Sequence, residues 1–268
     1  MTKNNLAIIV LNWNGADDAL ECINSLAQQT LKPTIIVVDN HSHDDSVMRF
    51  EQYQTEHPSV DCTIIANDKN LGFAGGINTG LVYAREQGFE YIGVLNPDAV
   101  ADKNWCRALV DELSSQPKCG IATGILQRRD GKTLDTTGDF YTTWGLPGPR
   151  NRDEPVENAP SKPGEVFGAT GGGAIYRAAI FDDIDMFDED FFMYYEDVDL
   201  SFRAQLAGWK VRFTPKAIAY HKVGASSKKV PGLAVYNTFK NLPLVFIKNV
   251  PGKLFWYIGL RFFLTYWL

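Results

Sequence analysis

The chain is poor in features that mark several common protein classes. It has four cysteines in 268 residues, Cys22, Cys62, Cys106 and Cys119. They form neither a C-x-x-C pair nor a Cys/His cluster with zinc-ligand spacing, which excludes a disulfide scaffold or zinc module and predicts reduced core thiols. A basic excess is also missing: 26 Lys and Arg face 32 Asp and Glu, a net charge of −6. No broad face suits a phosphate backbone, so no nucleic-acid partner is expected. There is no cleavable apolar stretch of signal-peptide length, which predicts that the main body stays in the cytoplasm. Internal repeats and low-complexity tracts are absent as well.

What is present is alternation. Short β-branched runs, LAIIVLN (6–12), TIIVVD (34–39), DCTIIA (61–66) and YIGVLN (91–96), are followed by helix-period segments at 16–30, 43–55, 74–87 and 102–115. That order predicts βαβ units and a mostly parallel α/β sheet covered on both faces. Asn12, Asp39, Asn67 and Asn96-Pro97-Asp98 then fall at the carboxyl ends of strands, where open α/β sheets bind ligands. The stretch from Gly145 to Gly164 is rich in Pro, Gly and charge and is expected to be a long surface excursion, with a lid over the site as the functional alternative.

Four constellations carry candidate chemistry. LNWNG (11–15) with VVDNHSHDDS (37–46) offers acceptors for a base or ribose, or simply an Asx-rich turn in which Ser42 or Asp44 caps a helix. NLGFAGGINTG (70–80), including Asn70, Gly72 and Asn78, opens a helix with glycines that can aim free amides at phosphate or merely allow tight helix–sheet packing. It is not the dinucleotide fingerprint, because the first strand runs into Asn12-Trp13-Asn14 rather than G-x-G-x-x-G. Asp98 and His221, each at a strand end, can hold a divalent cation if they meet. In FDEDFFMYYEDVDLSFRAQLAGW (187–209), a helix starting near Asp197 pairs Asp199 with Arg203 and puts Val198, Phe202 and Leu206 on one buried stripe. Glu196 and Asp197 fall at its start, where amides and macrodipole favour the ionised form a general base needs. Acids embedded among Phe191, Phe192, Tyr194 and Tyr195 are costly unless used.

These motifs, with LNPDA, GGGAIYRAAIF and the final AYH, run in an order that resembles family 2 glycosyltransferases, in particular their rhamnosyltransferase-like branch, from Leu6 to His221. The resemblance implies a GT-A fold, a dTDP- or UDP-linked sugar donor, Mg²⁺ or Mn²⁺, and inversion at the anomeric carbon. It implies a nucleoside pocket at Asn12, Asn14, Asp39, Asn67, Asn70, Gly72, Asn78 and Asn96. It further implies a metal-contacting Asp98, a late metal or diphosphate ligand at His221, a base at Asp197 and a hydroxyl-holding Glu196. Many relatives carry Asp where this chain has Asn96, which removes one carboxylate from the cation corner. The segment GGGAIY (171–176) is expected beneath the acceptor.

The domain at 1–221 divides into a nucleotide half, about 1–100, and an acceptor half, about 101–221. The tail, 222–268, differs electrostatically: seven basic residues and no acidic one, against 19 basic and 32 acidic before it. Its last fifteen residues hold seven aromatics and one charge. That is short of the about 20 apolar residues a span requires and suits an amphipathic helix lying on an anionic membrane surface. A buried helix or homo-oligomer contact is the alternative, and a chain stopping inside an apolar run is expected to continue in its natural form. The expected acceptor is a lipid-linked glycan at the cytoplasmic face of the membrane. Competing functions are a catalytically silent sugar-nucleotide-binding scaffold and a sugar-1-phosphate nucleotidyltransferase; LNWNGADD lacks the Gly-rich basic loop of the latter.

Overall fold

A computed structural model describes residues 5–222 and 232–267; Lys228 and Lys229 of the basic tail lie outside the described residues. The alternation is realised as β1 (Leu6–Asn12), α1 (Ala16–Ala27), β2 (Thr34–Asp39), α2 (Ser46–Glu56), β3 (Cys62–Ala66), α3 (Gly72–Glu86) and β4 (Tyr91–Leu95). Then come β5 (Ala99–Ala101), α4 (Trp105–Ser115), β6 (Cys119–Arg128), β7 (Leu134–Thr136), β8 (Asp139–Tyr141), β9 (Pro147–Pro149) and β10 (Gly164–Val166). The chain ends with β11 (Gly173–Arg177), α5 (Ile180–Ile184), α6 (Glu196–Leu206), β12 (Lys210–His221), α7 (Leu233–Asn249) and α8 (Gly252–Trp267).

The main sheet has the order β10-β12-β6-β11-β4-β1-β2-β3, with β5 beside β12 and β7 beside β6. Strands β3, β2, β1 and β4 are parallel, as are β6 and β12, while β11 runs antiparallel between β4 and β6. One face packs Leu6, Ile8, Ile35 and Ile175 against Ile23, Leu26, Trp105 and Leu109. The other packs Ile9, Ile36 and Ile92 against Ile77, Leu81 and Leu200. Burial on both faces explains the unbroken β-branched runs, each such side chain contributing about 1.5–3 kcal/mol. The four cysteines are free and buried.

Two local devices bring the sequence motifs to one edge. Helix α3 lies close on β1 because a Cβ at Gly76 would stand 2.5 Å from Leu11 Cδ1 and one at Gly80 2.8 Å from Ile9 Cγ2. In β12 the pairing with β6 shifts register between Phe213 and Ile218, across Pro215, which has no amide to donate. Beyond that irregularity the strand also pairs with β5, setting His221 opposite Ala99, directly after Asp98.

The 145–164 segment differs from the plain excursion expected. It contains β9, a 3-10 turn at Val156–Asn158 and the first residue of β10. It is stitched to β7 and its flanks through Leu134 N to Glu154 O at 2.8 Å, Thr137 Oγ1 to Asn151 Oδ1 at 2.7 Å and Arg152 Nε to Asp135 O at 3.2 Å. It stays at the surface, as expected, but these contacts tie it to the edge of the sheet. The α6 stripe also differs: Val198 is buried, but Leu206 is 56% exposed, because the helix ends there and turns outward into Gly208.

The tail forms two helices. Phe246, Ile258 and Phe262 bury against Tyr141, Leu146 and Phe202. The opposite sides leave Tyr236, Phe239, Ile247, Trp256, Leu260 and Phe263 exposed. No described helix is long and apolar enough to cross a membrane. Part of the tail's positive charge is spent on the body: Lys222 pairs with Asp18, Lys248 with Asp188 and Asp190, and Lys240 donates to the Asp190 carbonyl.

Candidate functional site

At the end of β4, Asn96, Asp98 and His221 come together. Asp98 Oδ1 lies 3.0 Å from His221 Nε2, and Asn96 Nδ2 lies 3.2 Å from the same nitrogen. Burial opposes charge on His221, but its contacts with Asp135 and Asp98 outweigh that penalty and raise it to about 9. Among the described residues no three His, Cys, Asp or Glu side chains form a metal cage. Two converging side chains do fit Mg²⁺ or Mn²⁺ whose remaining sites are filled by diphosphate oxygens and water, the usual arrangement for such ions.

The ends of β1, β2 and β3 form a closed polar network. Asp39, 2% exposed, accepts from Asn12 Nδ2 at 2.9 Å, Ser42 Oγ at 2.6 Å and Ser42 N at 2.9 Å. Asn14 joins through its amide to Ser42 Oγ at 2.8 Å, and its Oδ1 accepts from His43 N at 2.7 Å. Asn40 is the hub of the second half, donating to Asn70 Oδ1 and Gly72 O and accepting from Asn67 Nδ2 and Leu71 N. One buried acceptor, Asn12 Oδ1, is left without a protein donor.

The glycine-rich start of α3 is not a phosphate cradle. The amides of Phe73 and Ala74 both donate to Phe192 O, at 2.6 and 3.1 Å. Gly72 serves that junction: its φ is +72°, and a Cβ there would lie 2.4 Å from Phe192 O. Asn78 likewise turns to protein, donating to Phe187 O at 2.8 Å and Glu189 Oε1 at 3.0 Å. The helix start thus supports the chain leading to α6, which the motif could not reveal because its partner lies more than 100 residues away.

That chain is strained. Phe192, Tyr194 and Tyr195 all have φ between +62° and +71°, a conformation costing about 1–3 kcal/mol for each bulky residue. Asn241 of α7, fully buried, holds it by donating to the carbonyls of Phe191, Met193 and Tyr194 at 2.8, 2.9 and 2.8 Å. The loop delivers Glu196 and Asp197 to the first turn of α6, whose Asp199 pairs with Arg203 at 2.8 Å as expected. Asp197 accepts from Gly171 N and Val198 N, both at 2.8 Å. Burial raises its pKa and these amides only partly oppose the rise. Burial, reinforced by Asp197, holds Glu196 well above the usual carboxylate range, and Glu196 Oε2 has no partner. At Glu196 the expected preference for ionisation is therefore reversed, because desolvation outweighs the helix start; at Asp197 the amides of Gly171 and Val198 hold the rise in check.

The two corners are neighbours across Gly171 and Gly172. A Cβ at Gly171 would lie 3.5 Å from Asp197 Cβ, and one at its neighbour Gly172 would lie 3.1 Å from Asn96 Nδ2. The glycines of GGGAIY thus separate the acid start of α6 from the Asn96/Asp98/His221 corner by the width of two residues. A separate open depression of about 750 Å³, bounded by Arg85, Asp182, Asp183 and Arg203, is lined by none of these groups.

Residues 7–185 match the description "Glycosyl transferase family 2". The chain belongs to this family. It is similar to the N-acetylglucosaminyl-diphospho-decaprenol L-rhamnosyltransferase of Mycobacterium tuberculosis, 24% identical over 84% of this chain and 78% of that protein. It is also similar to the low-salt glycan biosynthesis hexosyltransferase Agl10 of Haloferax volcanii, 26% identical over 75% of this chain and 62% of the relative. A mannosyltransferase from Pyrobaculum calidifontis, solved with GDP-Man and Mn²⁺, shares the fold with a TM-score of 0.67 at 17% identity, covering 96% of this chain and 68% of its own. GalNAc-T7 with UDP, GalNAc and Mn²⁺ gives 0.66 at 13% identity, covering 81% and 43%. The protein is thus a glycosyltransferase of the GT-A fold.

The site of this glycosyltransferase includes groups the sequence did not single out. Asn40 sat inside VVDNHSHDDS without a distinguishing neighbour. Asp135 and Asp139 flank Thr136-Thr137-Gly138, and Asp135 Oδ2 lies 2.9 Å from His221 Nδ1. Asp139 is 7% exposed; burial and the nearby Asp197 raise it well above the ordinary range. The D-T-T-G-D spacing was the available signal, but only the antiparallel pairing of β7 on β6 brings it to the cleft.

Proposed function

We propose that this enzyme moves a sugar, rhamnose from dTDP-rhamnose in the first instance, onto a hydroxyl of a lipid-linked glycan with inversion at the anomeric carbon. The observation that carries the reading is that only Gly171 and Gly172 stand between Asp197 and Asn96 of the Asp98–His221 corner. The acceptor oxygen gives its proton to the Asp197 carboxylate as it bonds to the anomeric carbon. The bond to the diphosphate breaks on the opposite side, and the electron pair leaves with the diphosphate. Asp98 and His221 would hold Mg²⁺ or Mn²⁺, which would neutralise charge developing on the departing diphosphate. Asn12, Asp39 and Ser42, fixed by Asn14 and the Asn40 hub, frame the nucleoside, and Glu196 holds a sugar hydroxyl with its unpartnered oxygen.

Support for the donor and acceptor is the rhamnosyltransferase relative, whose name specifies a polyprenol-diphosphate acceptor. Support for a membrane surface is the exposed side of α7 and α8, with Tyr236, Phe239, Trp256 and Leu260, suited to a cytoplasmic leaflet. The test is release of nucleoside diphosphate from a panel of dTDP- and UDP-sugars with Mn²⁺ and a polyprenyl-diphosphate sugar. We expect Asp197→Asn to lower transfer by about 10²–10⁴-fold with nucleotide affinity unchanged. Equal turnover by wild type and Asp197→Asn rejects the base. No turnover of any donor favours the silent scaffold, and preference for a UDP-hexose replaces the rhamnosyl donor.

A further inference from the structure

We propose that Asp135 is the positioning residue for His221, locking the imidazole so that Nε2 faces Asp98 and the diphosphate cation; this rests on the cation-binding reading of Asp98 and His221. Asp135 and Asp98 engage opposite edges of one ring, 2.9 Å from Nδ1 and 3.0 Å from Nε2. Asp135 therefore cannot be a third ligand of an ion bound at Nε2. What it can do is accept the Nδ1 hydrogen, which fixes both the ring's rotation and the nitrogen presented to the cation, and makes that nitrogen a stronger donor.

Asp135 is itself held from two sides. It is 3% exposed at the centre of β7, where Leu126 pairs with Thr136 and Gln127 with Leu134 across β6. On the other side of β6, Arg128 is the register partner of His221. From the 145–164 segment, Arg152 donates through Nε to the Asp135 carbonyl at 3.2 Å, and its Nη2 stands 3.1 Å from Asp135 Oδ1. The Oδ1 contact is an ion pair without hydrogen-bond alignment, since that oxygen has no hydrogen-bond partner. A carboxylate needed only to neutralise Arg152, 45% exposed, had no reason to be buried against an imidazole. The ordered segment from Gly145 to Gly164 thereby acts on the site through Asp135.

The experiment measures Mn²⁺ affinity of the full chain by electron paramagnetic resonance of free Mn²⁺, with saturating UDP or dTDP, whichever binds more tightly. Melting temperature and nucleotide affinity in EDTA are recorded in parallel. Asp135→Ala is expected to weaken Mn²⁺ by about 10–100-fold, with nucleotide affinity in EDTA unchanged. Asp135→Asn, whose carbonyl still accepts from Nδ1, is expected to lose less, and His221→Ala at least as much as Asp135→Ala. Mn²⁺ binding within twofold of wild type for Asp135→Ala, while His221→Ala is impaired, overturns the role of Asp135. If Asp135→Ala does not fold, Asp135→Leu, similar in size but unable to accept from Nδ1, decides: a threefold or greater loss of Mn²⁺ affinity supports the proposal and a smaller one rejects it. Wild-type Mn²⁺ affinity in His221→Ala rejects the cation reading itself, and the role of Asp135 with it.

Discussion

The polar residues at the ends of β1–β3 and those approaching α6 line one sheet edge but meet their hydrogen bonds in different ways. On the proposed nucleoside side, Asp39 and Asn40 each engage several protein partners, so the frame is held by protein contacts alone. On the proposed acceptor side, Glu196 keeps a buried oxygen without a donor, and burial raises both Asp139 and Asp197. The first region spends its polar groups on shape. The second keeps the Glu196 oxygen open, for substrate in the proposed reaction, and a strained loop and a helix from the tail hold it in place.

If that contrast is right, damage on the two sides should separate stability from turnover. The largest effect is expected for Asp39→Ala, which removes one acceptor of the Asn12 amide and the acceptor of both Ser42 donors. It should lower unfolding free energy by about 3 kcal/mol, taking roughly 1 kcal/mol per lost bond, and weaken nucleotide binding at least about tenfold. Urea denaturation and titration calorimetry read both. Asn241→Ala removes the two amide hydrogens that serve three carbonyls and frees the loop, so a loss of about 2 kcal/mol is expected together with a fall in kcat at unchanged donor affinity. A fall in donor affinity instead would erase the distinction between the two sides.

Glu196→Gln should have the smallest effect on stability, and of opposite sign. The folded state binds the Glu196 proton more tightly than the unfolded chain, because burial and Asp197 raise its pKa. The resulting stabilisation is present below the ordinary carboxylate range and is lost as pH rises above it. Glutamine removes that loss, so the melting temperature should rise by about 2–4 °C at pH 8 and less at pH 5, while turnover falls. A lower melting temperature at pH 8 would mean that Glu196 is structurally satisfied.

The β1–α4 half was legible because buried parallel strands and amphipathic helices write their periods into adjacent residues. The strand-end positions of Asn12, Asp39, Asp98 and His221, and the helix start at Glu196, followed from the same logic. What stayed hidden depends on partners distant in sequence. Asn78 and Gly72 serve the chain at 187–192, Asp135 reaches His221 only across β6, and Asn241 finds its carbonyls about 50 residues back. The proton affinity of Glu196 stayed hidden for a related reason: a helix start is visible in sequence, whereas the depth at which it is buried is not.

The clamp from Asn241 ties two properties that a surface anchor would keep apart. Shortening the protein before α7 to gain solubility would release three carbonyls of a left-handed loop and let the first turn of α6 wander. The same coupling gives the tail a means of reporting to the reaction centre. Any displacement of α7 would act through one amide on the residues just before Asp197.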